Sequence, residues 1–168
     1  MKNRPKIELQ LTQRDKILEV IGWILLIGTW ILTFTNYFDL PETIPIHFNA
    51  AGEADGFGSK KTILALPIIS TLLFIGMTFL NKYPHVFNYP NEITEENALS
   101  QYTNATRILR YLKVIIVLIF GGIVFMTIQN VNGKADGLGT WFLPLSMILI
   151  FMPILYLLIS GNKKAKEN

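Results

Sequence analysis

Four long apolar runs constrain this chain more than any other feature of its sequence. They cover residues 17–38, 62–80, 112–130 and 141–160. A helix of about 20 apolar residues is long enough to cross the hydrocarbon core of a bilayer. Only 16% of the residues are charged, against roughly 25% in an ordinary soluble domain. The sequence therefore predicts an all-α polytopic membrane protein, in which residues 1–168 form a single membrane domain with four transmembrane helices.

The basic residues predict how these helices are oriented. Of the 15 Lys and Arg residues, 12 lie in the N-terminal segment, the C-terminal tail, the second connection or the start of the third run. Basic residues next to spans are retained on the cytoplasmic side. We therefore expect both termini and the connection at residues 81–111 in the cytoplasm, an outer loop at residues 39–61, and a location in the cytoplasmic (inner) membrane. The same bias explains the net charge of +3 without nucleic acid as a partner.

The outer loop has a pattern of its own. Ile44, Ile46 and Phe48 alternate with other residues in a short strand-like stretch. Residues 49–58 supply turn-forming residues, and Ser59 can cap the second span. We expect a compact loop that lies over the membrane surface. Its candidate ligand-binding or partner-binding residues are His47, Asn49, Gly52, Asp55 and Lys60.

The polar residues of this loop do not form a recognised metal motif. One imidazole and two carboxylates, from Glu53 and Asp55, fall short of a zinc ligand set, and an EF-hand alignment places Ala51 and Thr62 at ligand positions. The sequence therefore predicts no bound metal and no other cofactor. It also predicts no enzyme activity, because a general acid or base needs a positioned partner, which the sequence does not show. A metal-assisted enzyme or transporter that uses His47 remains an alternative. So does a structural role, with Asn49 and Asp55 bonded to the loop backbone and Lys60 paired with a carboxylate.

The cytoplasmic connection changes character at Thr94. Pro84 and Pro90 disfavour a helix before this point. Thr94 is a plausible N-cap, and an apolar stripe at helical spacing follows it, which predicts one long helix over residues 95–130. The candidate partner-binding residues of this region are Asn88, Tyr89, Pro90, Asn97 and Tyr102.

Charged residues near the inner ends of the spans also have two interpretations. We expect Arg107, Arg110 and Lys113 to anchor the long helix to anionic lipid, and a docking surface for a cytoplasmic protein is the alternative. Glu19, the one carboxylate inside an apolar run, is expected to reach the membrane interface.

Two stretches of the chain resemble a known bacterial family. One reads L-P-x-x-I-P-x-H-F at residues 40–48, with G-x-x-D at 52–55 and a lysine at 60; the other covers residues 85–113. They look like a domain of unknown function found at the N-terminus of SdpI-type immunity proteins, which act against a secreted toxic peptide. The full immunity proteins have a further C-terminal membrane region. The resemblance implies a multi-pass membrane location without an established chemistry.

Two functions follow from these observations. One is recognition, immunity or signal relay through the outer loop, with a peptide or an envelope component as its ligand and a cytoplasmic protein as a second partner. The other is a structural or assembly subunit of a membrane complex. In both, the lipid bilayer is the main partner.

Overall fold

Four helices and one β-hairpin form the described part of the chain. The computed structural model describes the backbone of residues 4–164 and the side chains of residues 4–156. The helices are α1 (Gln13–Tyr37), α2 (Ala65–Leu80), α3 (Glu95–Val131) and α4 (Phe142–Lys164), and the strands are β1 (Thr43–Phe48) and β2 (Ala54–Ser59). Short 3-10 turns lie at Lys60–Leu64 and Pro84–Val86. The protein is thus mostly helical, and the all-α prediction is corrected by the hairpin.

Three of the helices are long and apolar enough to cross a bilayer. They are Gln13–Tyr37, Lys60–Leu80 (the first 3-10 turn together with α2) and Glu95–Val131. The predicted fourth span is also helical, but its apolar part within the described side chains is shorter, Phe142–Tyr156. The first three predicted spans are therefore confirmed as long apolar helices.

The long helix α3 follows from its N-terminal cap. The Thr94 hydroxyl accepts a hydrogen bond from the Asn97 backbone N–H, and the Asn97 side chain accepts one from the Thr94 N–H. Glu95 and Glu96 in the first turn complement the helix dipole. No proline lies between Thr94 and Val131, and the predicted continuous helix is confirmed.

Helices α1 and α3 pack against each other in parallel. Asp15 pairs with Arg107 and Glu19 with Arg110, at sequence separations of 92 and 91 residues. Farther along both helices, the Thr29 hydroxyl lies 2.7 Å from the position that a Cβ on Gly121 would occupy. Because the sequence separation between contacting residues of α1 and α3 is nearly constant, the two helices run in the same direction and start at the same end of the bundle.

The two ends of the bundle are therefore built from different segments. The hairpin and the 132–141 connection meet at one end, where the Leu138 N–H donates to the Gly52 carbonyl. We call this the hairpin end. Residues 4–12 and the 81–94 connection meet at the other, where Arg4 donates to the His85 carbonyl. We call this the N-terminal end.

Three buried apolar clusters lie along the bundle. They are Leu40, Ile44, Ile63, Val124 and Ile128 at the hairpin end; Leu26, Phe74 and Val117 in the middle; and Ile93, Ala98 and Tyr102 at the N-terminal end. In the middle cluster Phe74 packs onto Gly22, where a Cβ would lie 2.6 Å from the ring. The hairpin thus rests on an apolar core that it shares with α3.

Candidate functional site

The hairpin has a tight turn that is shaped by Asn49. Its side-chain oxygen accepts hydrogen bonds from the N–H groups of Ala51 and Glu53, at 2.9 and 3.0 Å. Its backbone N–H donates to the Glu53 carbonyl at 2.9 Å. Asn49 therefore bonds the loop backbone, as the structural alternative for this residue predicted.

The second strand corrects the predicted extent of the turn. Residues 54–58 were expected within a turn but belong to β2, which runs antiparallel to β1 and pairs with it. A Cβ on Gly56 would lie 2.9 Å from the His47 Cβ, and one on Gly58 would lie 2.6 Å from the end of Ile46. These glycines make room for side chains of the partner strand, whereas the pattern alone indicated a turn.

Gly52 attaches the hairpin turn to the 132–141 connection. It is buried and has a φ of +81°, a conformation that favours glycine. Its carbonyl accepts a 2.6 Å hydrogen bond from the Leu138 N–H, and a Cβ here would lie 2.5 Å from the Gly139 carbonyl oxygen. Gly52 therefore forms a structural contact between the hairpin turn and the 132–141 connection.

Lys60 fixes the other end of the hairpin. Its ammonium donates to the Leu40 carbonyl at 3.0 Å and pairs with Glu42 at 3.1 Å. It also lies 5.7 Å from the centre of the Tyr37 ring, at the end of α1. The structural alternative for Lys60, a pair with a nearby carboxylate, is confirmed.

The outward face of the hairpin carries a histidine–carboxylate pair. His47 Nδ1 lies 2.5 Å from Asp55 Oδ1, and the two side chains are 69% and 44% exposed. The pair joins the two strands, so Asp55 bonds a side chain and not the loop backbone as one alternative held. Glu53 is exposed at the turn, where its carboxylate accepts a hydrogen bond from the Asn49 side-chain amide at 2.9 Å, and Phe57 is also exposed. The hairpin therefore offers a paired imidazole and carboxylate to a ligand, with a further carboxylate and an aromatic ring exposed on the same hairpin.

Metal binding has no support in the described part of the chain. The side chains of residues 4–156 include no group of three or more His, Cys, Asp or Glu close enough to hold a metal ion. The pair of His47 and Asp55 leaves a site with two ligands, fewer than a structural zinc site needs.

At the N-terminal end, the predicted partner surface is covered by the chain's own N-terminal segment. Arg4 donates to the His85 and Phe87 carbonyls at 3.1 and 2.6 Å and lies over the Tyr89 ring. The Tyr102 hydroxyl donates to the Pro5 carbonyl at 3.1 Å. Residues 4–9 therefore cover Tyr89 and Tyr102, two of the five candidate partner-binding residues of this region.

The other candidates at this end have structural roles or stay exposed. The Tyr89 hydroxyl donates to the Pro84 carbonyl at 3.0 Å, and burial raises its pKa, so that it remains a donor. Asn97 belongs to the cap of α3. Asn88 and Pro90 are exposed on the connection.

Charged residues between α1 and α3 form a largely buried network that was not predicted. Arg107 donates to Asp15 at 3.0 Å and Arg110 to Glu19 at 3.1 Å. Lys113, 1% exposed, contacts Glu19 at 2.5 Å. It also donates to the Thr78 hydroxyl of α2 at 2.8 Å.

This network corrects the expectation that these cations anchor the protein to lipid. Their side chains point at carboxylates inside the bundle, and Glu19 joins them there. A signal was present: Asp15 and Glu19 lie four residues apart on one face of α1, and the three cations follow each other at spacings of three on α3.

The comparisons with known proteins concern mainly the hairpin. Residues 24–71 match a domain of unknown function, DUF1648. This range begins within α1, includes the whole hairpin and ends within α2. The chain is therefore a protein with long apolar helices that carries a DUF1648 domain.

One relative matches about half of the chain. An uncharacterized protein of Archaeoglobus fulgidus is 36% identical over an alignment of 88 residues, and the match covers 48% of this chain. The chain spans about half the length of this curated relative, since the match covers 48% of it. No solved structure matches the chain.

Proposed function

We propose that this protein is a multi-pass membrane protein that recognises a peptide or an envelope component through the exposed face of its hairpin. Immunity or signal relay is the purpose that this recognition would serve. The observation that carries the proposal is that one group of hairpin residues attaches the hairpin to the bundle, whereas a second group lies on its exposed face.

One group of these residues holds the hairpin in place. Gly52 contacts the 132–141 connection, Lys60 contacts the end of α1, and Ile44 is buried against α3. A loop held at three points on a rigid scaffold is suited to binding, because little conformational entropy is lost when a ligand arrives.

The second group contributes nothing to this attachment. Among the described residues, the side chains of His47 and Asp55 bond only to each other, on a largely exposed face. Fixed and unburied polar groups of this kind provide specificity in binding sites. A binding role without catalysis is part of the proposal, because catalytic groups depend on sites that exclude water.

The proposal includes an orientation. The bias of 12 of 15 basic residues supports an inner-membrane protein with four spans, cytoplasmic termini and the hairpin outside. Resemblance to the N-terminal part of SdpI-type immunity proteins supports a secreted peptide as the ligand. A hairpin outside the cell would meet such a peptide first.

Complementation tests the role of the pair. A strain that lacks the gene is screened against secreted antimicrobial peptides and envelope stresses for a sensitivity that the wild-type gene reverses. We expect His47→Ala and Asp55→Ala to lose complementation while the amount of protein in the membrane stays normal. Thr43→Ala, also exposed on β1, is the matched control and should complement. Full complementation by both variants, or their disappearance from the membrane, would contradict a recognition role.

A further inference from the structure

One part of the buried network carries more positive than negative charge. Arg110 and Lys113 share a single carboxylate, Glu19, at 3.1 and 2.5 Å, so these three ionised groups have a net charge of +1. The side chains of the two cations are only 7% and 0% exposed. Among the described side chains, no second carboxylate lies within ion-pair distance of either cation. A buried charge without compensation is destabilising, so this part of the network attracts an anion.

Asn81, which follows the last residue of α2, has a buried amide without a partner. Neither its Nδ2 nor its Oδ1 forms a hydrogen bond within the part of the chain that the structure describes. Buried polar groups are normally hydrogen-bonded, and a side-chain amide contains both a donor and an acceptor. A ligand that satisfies Asn81 must therefore offer an acceptor and a donor.

The register between α2 and α3 is antiparallel. Thr78 of α2 accepts a hydrogen bond from Lys113 of α3 at 2.8 Å. Phe74 and Val117 belong to the same buried cluster. A step of four residues back along α2 thus corresponds to a step of four residues forward along α3.

This register places Asn81 at the level of Arg110. Asn81 lies three residues after Thr78, and Arg110 lies three residues before Lys113. Asn81 still has helical backbone angles, with φ −59° and ψ −16°, so it continues the α2 face that Phe74 and Thr78 turn towards α3. The unpartnered amide therefore lies next to the part of the network that has excess positive charge.

Together these features define the chemistry of a ligand. Arg110 donates to Glu19 through Nε, which leaves the two terminal nitrogens of its guanidinium outside this pair, and such nitrogens bind phosphate oxygens well. Water would satisfy the Asn81 amide but not the charge, whereas chloride or sulfate would satisfy the charge but has no donor for Asn81 Oδ1. We infer that Arg110 and Asn81 bind a small oxyanion that carries an O–H group, of the hydrogen phosphate type.

This site lies away from the hairpin and does not depend on recognition there. Asn81 begins the 81–94 connection, which belongs to the N-terminal end of the bundle. The same ligand chemistry has two sources, free phosphate and the phosphate monoester headgroup of phosphatidic acid. In either case the anion would join α2 to α3 beside the ion pairs that join α3 to α1.

Phosphorus NMR of inorganic phosphate, titrated into the full chain in detergent micelles, tests the site. We expect saturable broadening of the phosphate signal. Sulfate at equal ionic strength should compete about tenfold more weakly than unlabelled phosphate, because it has no donor for Asn81 Oδ1.

Three variants locate the binding. Asn81→Leu removes the amide and should weaken phosphate binding about tenfold, since a hydrogen bond to a charged group is lost. Arg110→Gln removes the excess charge while Glu19 stays paired with Lys113, so the variant should fold, as circular dichroism checks, and should lose phosphate binding. Asn88→Leu is the matched control, the same exchange at an exposed position, and should bind like the wild type.

Three results would overturn the site: no saturable phosphate binding, equal affinity in Asn81→Leu and the wild type, or sulfate that competes as well as phosphate. Phosphatidic acid added to the micelles distinguishes the sources. If it displaces phosphate from the wild type, the site holds a lipid headgroup; if phosphate stays bound, the site holds the free anion. Full complementation by the His47 and Asp55 variants, which contradicts the proposed function, would leave all of these results unchanged.

Discussion

The two ends of the bundle are held together by different chemistry. At the hairpin end, the contacts that hold the hairpin turn are between backbones, such as the Leu138 N–H and the Gly52 carbonyl, and glycines let the chains approach closely. At the N-terminal end, side chains do this work: Arg4 and Tyr102 donate to carbonyls, and Lys113 lies buried against Glu19.

This difference determines which substitutions each end of the bundle tolerates. A backbone contact survives most side-chain changes but not an added Cβ where the chains touch. A side-chain contact fails when its charge or hydroxyl is removed, because a buried partner is left unsatisfied. The hairpin end can therefore vary its exposed face, which suits recognition, whereas at the N-terminal end Arg4, Tyr89 and Tyr102 bond to backbone carbonyls of the fold.

The largest expected effect concerns the side of the membrane on which each end lies. The chain has no cysteine, so Ala51→Cys and Asn91→Cys each introduce one unique thiol, at the hairpin end and the N-terminal end. From the charge bias we expect an impermeant maleimide to label Ala51→Cys in intact cells, and Asn91→Cys only after permeabilisation. The reverse pattern would invert the orientation, and labelling of both in intact cells would place the two ends on one side.

The buried network should give the largest effect on stability. Glu19→Gln leaves Lys113 and Arg110 without their carboxylate, and breaking a buried ion pair costs about 3–5 kcal/mol. Unfolding in mixed micelles measures the loss. Glu8→Gln, at an exposed position of the same charge, is the control and should change little. Lys113→Met in the Glu19→Gln background should recover part of the stability, and no recovery would argue against a direct pair.

Gly52→Ala should open the hairpin end. A φ of +81° costs an alanine about 1–2 kcal/mol, and its Cβ would press on the Gly139 carbonyl. Hydrogen exchange of the Leu138 amide should accelerate, because that amide donates to Gly52. Gly76→Ala, where nothing lies within 4 Å of the added Cβ, should leave the exchange unchanged. Equal exchange in both variants would remove Gly52 from the attachment.

The smallest expected effect is at the N-terminal segment. Tyr102→Phe removes the hydrogen bond to Pro5 and should cost about 1 kcal/mol. Trypsin cleavage after Lys6 should become about fivefold faster, because the segment opens more often. Tyr111→Phe, the same exchange at an exposed position on α3, should not alter the rate. Unchanged cleavage in Tyr102→Phe would mean that this contact does not hold the segment.

Sequence patterns predicted local structure well where one residue type determines it. Thr94 and the stripe after it predicted a continuous α3, and the alternation at Ile44, Ile46 and Phe48 predicted β1. The prediction was wrong for residues 54–58, because glycine is read as a turn signal, whereas Gly56 and Gly58 face side chains across the hairpin. The roles of the candidate residues in the loop were only partly predictable, since Gly52 and Lys60 act through distant contacts.

What the sequence by itself determined is the apolar length, the capping and the charge bias, because each depends on neighbours within a few residues along the chain. Only the tertiary structure decided which polar side chains form hydrogen bonds or ion pairs inside the protein. The parallel packing of α1 and α3 brings Glu19 within 2.5 Å of Lys113, 94 residues away, and folds residues 4–9 over Tyr89 and Tyr102. Whether a polar side chain is satisfied depends on the atoms around it in space, and these come from segments that no local pattern connects.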